Sequence, residues 1–174
     1  MRNKLLYLLL LLLPQFAAAQ NSAAKEAAKK QAAAMDAAYA KGDYITMANY
    51  TNKRVLDMLG GPQKMAAALK GKMAELEKKN VKLISAEVGE VMQIVNVDGQ
   101  YQCIIPQYIR MKAGDEKMYS RSHLLGISSD KGKTWTFLDA NGQTPEMLKG
   151  LFPNLSKELV IPKKEMKVEE ADLK

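Results

Sequence analysis

The chain has 174 residues, with 26 Lys and Arg against 19 Asp and Glu and a formal charge of +7. Its three Phe, seven Tyr and one Trp are too few, and too far from the lysines, to build a base-stacking surface, so nucleic acid is not an expected partner. One Cys excludes an intrachain disulfide, and with one His and no carboxylates at ligand spacing it excludes a local zinc site; no metal or cofactor is expected.

Arg2 and Lys4 precede the apolar run Leu5 to Leu13, Pro14 breaks it, and "AAAQ" supplies a small-residue cleavage site. Residues 1–19 therefore read as a signal peptide, and the run is shorter than the roughly 20 residues that span a bilayer. The expected product is exported, periplasmic or secreted, with no stable membrane insertion after cleavage. Loss of Arg2 and Lys4 lowers the formal charge from +7 to +5, most of it on helical lysines that read as a solvated face. The remaining chain, about 155 residues, suits one domain. It is expected over 20–164, with 165–174 a charged, disordered tail.

Asn21 or Ser22 is placed to cap a first helix, "AAKEAAKKQAAAMDAAYAKG", with Met35, Ala38 and Tyr39 inward near its end. Gly42 stops it, and Asp43 caps a short second helix, "YITMANY". Arg54 to Met58 reads as a short strand. Gly60-Gly61-Pro62 is a turn with Pro62 at a helix start. In the third helix Met65, Leu69, Met73 and Leu76 recur every three or four residues, and Asn80 ends it.

From Val81 the period changes to two. "KLISAEVGEVMQIVNV" and "QYQCIIPQYIRMK" flank Asp98-Gly99, a two-residue hairpin signal. "KMYSRSHLLGISS" returns after Ala113 to Asp115, and "TWTFLDA" completes a four-stranded antiparallel meander. A short helix and a turn at Pro153-Asn154 follow.

"SSDKGKTW" (Ser128 to Trp135) resembles the Asp-box of sialidases and other β-propellers. A propeller needs several such blades, and this chain has one copy. The motif is expected to act mechanically: Asp130 accepts backbone N–H groups, Gly132 takes a positive φ, and Trp135 folds beneath the loop.

If Ser128 pairs with Trp135 across that turn, Leu124 falls opposite Asp139. His123, the residue best suited to neutral proton chemistry, then points away from Asp139. The same registers put Met92, Ile94, Cys103, Ile105, Ile109, Met111, Leu124, Trp135 and Phe137 on one face. Val91, Val95, Ile104, Tyr108, Tyr119, Arg121, His123, Leu125 and Ile127 share the other, which is too apolar to face water. Cys103 reads as a buried small hydrophobe.

"AYAKGDYITMANYTNKRVLDMLGGPQKMAAALK" resembles the helical entry of nuclear transport factor 2-like domains. "ISSDKGKTWTFLD" and "LFPNLSKELVIPKK" are similar to small exported bacterial members of that superfamily. The resemblance spans Ala24 to Lys164. It implies an α+β fold of cystatin-like type, with three N-terminal helices on a curved antiparallel sheet and a cone-shaped pocket. It carries no catalytic residue onto this chain. The expected function is non-enzymatic, binding a small apolar ligand in the cone or a protein partner; the alternative is a pocket enzyme of isomerase or dehydratase type. Tyr39, Tyr44, Tyr50, Trp135 and Phe137 are the candidate ligand wall. Members often dimerise through the convex face, where Tyr108, Tyr119, Arg121, His123 and Leu125 are the candidate homodimer contacts. The rival cover for that face is the chain's own segment around Leu159 to Ile161.

Overall fold

Four helical segments precede the first strand: α1 Leu13–Ala40, α2 Tyr44–Asn49, α3 Lys53–Leu59 and α4 Pro62–Lys78. The structure, a computed structural model, describes residues 13–169. The expected leader thus lies in large part outside the described residues. Asn21 and Ser22 sit inside α1 and do not cap it. The alanines on either side of them continue the helix at the lowest cost of any residue. Asp43 caps α2 as expected, accepting from the Thr46 N–H at 3.1 Å.

The expected strand at Arg54 to Met58 is instead helix α3. The Asn52 side chain accepts from the Arg54 N–H at 3.1 Å, and Gly60, at φ +80°, closes the other end. Signals at both ends outweigh the strand preference of one Val. In α4 Met73 of the expected stripe is buried together with Ala66, while Met65 and Leu69 are half-buried and line a groove beside α3.

Strands β1 Val81–Val88, β2 Gln93–Val97, β3 Gln100–Ala113, β4 Glu116–Ser128, β5 Thr136–Asp139 and β6 Glu165–Glu169 form one curled antiparallel sheet. The order is β1-β3-β4-β5, with β2 continuing beside β3 and β6 beside β4. The molecule is therefore α+β. Asp98 and Gly99, at φ +50° and +84°, make the two-residue turn their identity suggested.

The first meander strand is in fact two. Val88 pairs with Gln107 and Gln93 with Ile104, so five steps on one edge oppose three on the other. This bulge shifts the alternation: Val91, expected on the outer face, packs into the inner core, and Met92 is exposed. Gly89 makes room, since a Cβ there would lie 2.8 Å from the Pro106 ring.

Beyond the bulge, the two faces divide as their parity required. On the inner face, Ala24, Ala28, Ala32 and Met35 of α1 pack against Cys103, Ile105, Leu124, Trp135 and Phe137. Alanine at every fourth position lets the helix lie close to the strands. On the outer face Ile104, Leu125, Ile127 and Leu138 are covered by α5 Pro145–Leu151 with Phe152, Leu155, Leu159 and Ile161. Side-chain amides pin this cover: Gln102 donates to Asn154 O at 2.9 Å and accepts from Ser156 N at 2.9 Å, and Gln93 accepts from Val160 N at 2.8 Å. The chain's own C-terminal segment thus buries the apolar row. Glu165 to Glu169, expected in a disordered tail, instead pair with Lys117 to Arg121 as β6.

Candidate functional site

The Asp-box loop is built entirely from its own residues. Asp130 Oδ1 accepts from Lys133 N at 3.1 Å, Thr134 N at 2.9 Å and Ser128 Oγ at 2.8 Å, and Oδ2 accepts from Thr134 Oγ1 at 2.7 Å. These bonds, those from Thr134 foremost, hold the carboxyl down at about 2. Trp135 Nε1 donates to Gly132 O at 2.9 Å, folding the ring beneath the turn. The loop also holds α1: Gln31 accepts from Trp135 N at 2.9 Å and donates to Lys133 O at 2.8 Å. At Gly132, φ +81°, an added Cβ would lie 2.4 Å from the Ala24 Cβ. The motif is a clip between helix and sheet.

The aromatic residues expected to line an interior pocket are divided. Trp135 and Phe137 are 2% and 1% exposed and belong to the inner core, with Tyr50 packed at its margin. Tyr39 and Tyr44 stand together elsewhere, ring centroids 6.1 Å apart, and the Tyr39 hydroxyl points to Met73 Sδ at 3.5 Å. Burial pushes the Tyr39 phenol up. Cys103 is fully buried and its thiol is pushed up to about 12.

The convex-face candidates also separate. Leu125 and His123 are fully buried beneath the C-terminal cover and present no surface to another molecule. Leu124 does pair with Asp139, so His123 faces away from that carboxylate. Its Nδ1 lies 3.0 Å from Asn141 Oδ1, while Asn141 Nδ2 donates to Pro162 O at 2.7 Å. The Asn141 amide orientation makes Nδ1 the donor, which fixes the imidazole as part of the cover's attachment.

Tyr108, Tyr119 and Arg121 remain at the surface. They line an open cleft of about 200 Å³ with Arg110, Glu165 and Lys167, between the β3–β4 pair and β6. Arg121 reaches Glu165 at 3.6 Å, and Arg110 reaches Glu87 at 3.4 Å. The Arg121 Nε is buried and has no hydrogen-bond partner among the described residues.

One group escaped the sequence reading. Asp36 of α1 is 1% exposed, and its Oδ1 accepts from Gln107 Nε2 at 2.6 Å. Gln107 in turn accepts from Ser122 Oγ at 3.2 Å. The Asp36 Oδ2 is buried without a partner. Burial pushes the carboxyl up to about 6, against the opposing effect of the Gln107 bond. The signal was present: Asp36 follows Ala24, Ala28 and Ala32 at intervals of four, on the stripe that packs against the sheet.

Comparison with family models, curated proteins and solved structures returned no match to this chain.

Proposed function

We propose that the protein is an exported binding module of nuclear transport factor 2-like type, which works through its outer cleft on a second copy of itself. The observation that carries this reading is the cleft: two tyrosines and an arginine stand together on the sheet face. Tyrosine and arginine are the residues on which interfaces concentrate their energy. Trp135 and Phe137, by contrast, are packed against α1 in the inner core. A two-fold contact would place each cleft against its twin. Light scattering across the micromolar range should report a dimer for the wild type and a monomer for Tyr108→Glu/Tyr119→Glu. A wild-type monomer throughout that range overturns the reading. Export is checked separately: material from the cell envelope should begin at Gln20 or Asn21.

Asp36 favours a second reading, a pocket enzyme using proton transfer. A carboxyl near 6 changes protonation close to neutrality, as a general acid or base must. Turnover of a carbonyl or hydroxy compound that disappears in folded Asp36→Asn would establish this reading, and turnover unchanged in that variant would remove it.

A further inference from the structure

The helical layer carries a surface unlike the rest of the molecule. Leu59, Met65, Ala68 and Leu69 line a groove of about 210 Å³ between α3 and one side of α4, with Lys64 and Lys72 on its rim. Next to it, Met58 and Leu59 are 67% and 49% exposed. Lys64 and Lys72 are the charged residues that line the groove, whereas Lys70 of the same helix faces a separate cleft with Asp43 and Tyr44. Gly60 brings the Lys64 stem down over the end of α3, since a Cβ there would lie 2.7 Å from the Lys64 Cδ. The methylenes of Lys64 thus extend the apolar floor, and its ammonium lies beside Gly60 at the end of α3.

We propose that this face docks on an anionic lipid surface. Charge complementarity selects the occupant: both charged residues that line the groove, Lys64 and Lys72, are cations, which suits a negatively charged partner. The residue types select lipid over protein. This groove is walled by Lys, Met, Leu and Ala, without the Tyr and Arg that mark the outer cleft. Flexible ammonium stems suit headgroups that move, and protruding Met58 and Leu59 suit the headgroup–acyl boundary. No described helix is long and apolar enough to cross a membrane.

Vesicle co-sedimentation of the chain as recovered from its producing cells tests this. Phosphatidylglycerol–phosphatidylcholine vesicles should retain the wild type far better than pure phosphatidylcholine, and added salt should release it. Lys64→Glu/Lys72→Glu should lower the partition onto anionic vesicles by about tenfold or more. Met58→Ser/Leu59→Ser should lower it at unchanged charge, with circular dichroism confirming that both variants are folded. Equal binding to neutral and anionic vesicles overturns the proposal. So do variants that bind like the wild type, or a wild type that binds heparin but no vesicle.

Discussion

Asp36 and Asp130 are both carboxylates in short hydrogen-bonded networks, yet their surroundings move them in opposite directions. Asp130 collects four bonds at the solvent-facing turn and is held at about 2, below its ordinary 3.8. Asp36 has one donor and is buried between α1 and the sheet, which pushes it up from 3.8 to about 6. For Asp36 the folded state binds the proton more tightly than the unfolded chain. Its contribution to stability is full below pH 3.8 and is lost as pH rises through about 6. About two pKa units correspond to about 3 kcal/mol. For Asp130 the contribution is full above 3.8 and is lost as pH falls through about 2. Tyr39 is the other titratable group beside Asp36, and it ionises far above this window. Urea unfolding between pH 4 and 7 should show wild-type stability falling with pH, and the slope should vanish in Asp36→Asn. Parallel curves for the two proteins would mean that Asp36 is not a buried titrating group.

At the scale of elements, the contact between α1 and the Asp-box loop is the most specific joint in the molecule. It combines two Gln31 bonds with a glycine at positive φ against Ala24. Gly132→Ala introduces both backbone strain and a clash, and should cost about 1–3 kcal/mol. Gly71 is the contrasting case: it lies mid-helix in α4 with nothing within 4 Å of an added Cβ. Gly71→Ala should therefore stabilise the protein, by about 0.5–1 kcal/mol. Thermal denaturation of the two variants reads both signs in one experiment; a destabilised Gly71→Ala would contradict the open space around that position. Gly126 belongs with Gly132, because a Cβ there would meet Cys103 Sγ at 2.7 Å and Phe137 Cε1 at 3.0 Å. Its lack of a side chain is what allows the two larger ones to pack across β4.

For the whole molecule, the C-terminal segment decides what the outer face can do. Ile104, Leu125 and Ile127 are buried by residues that follow them by more than twenty positions, and each such burial is worth roughly 1.5–3 kcal/mol. A chain ending at Gln143, before α5, should expose this row, bind a hydrophobic dye such as ANS and aggregate. If it stayed soluble and unchanged in its unfolding midpoint, the segment would be an ornament and not a cover. Tyr108, Tyr119 and Arg121 lie outside this cover, in the cleft farther along β4.

What the sequence determined alone were features whose bonds close within a few residues: the Asp98-Gly99 turn, the Asp43 cap, the Asp-box loop and the change from helical to strand period at Val81. The pairing of Leu124 with Asp139 followed from the loop length, and with it the orientation of His123. Tertiary structure decided the rest. The bulge between Val88 and Gln93 depends on a longer edge fitting beside β3. The burial of Asp36 depends on how closely an alanine stripe lets α1 approach Gln107. The occupant of the outer face was open because an apolar row in a strand demands cover without naming its source. That choice rests on whether a distant segment reaches it at lower entropic cost than a second molecule, a comparison no local pattern contains.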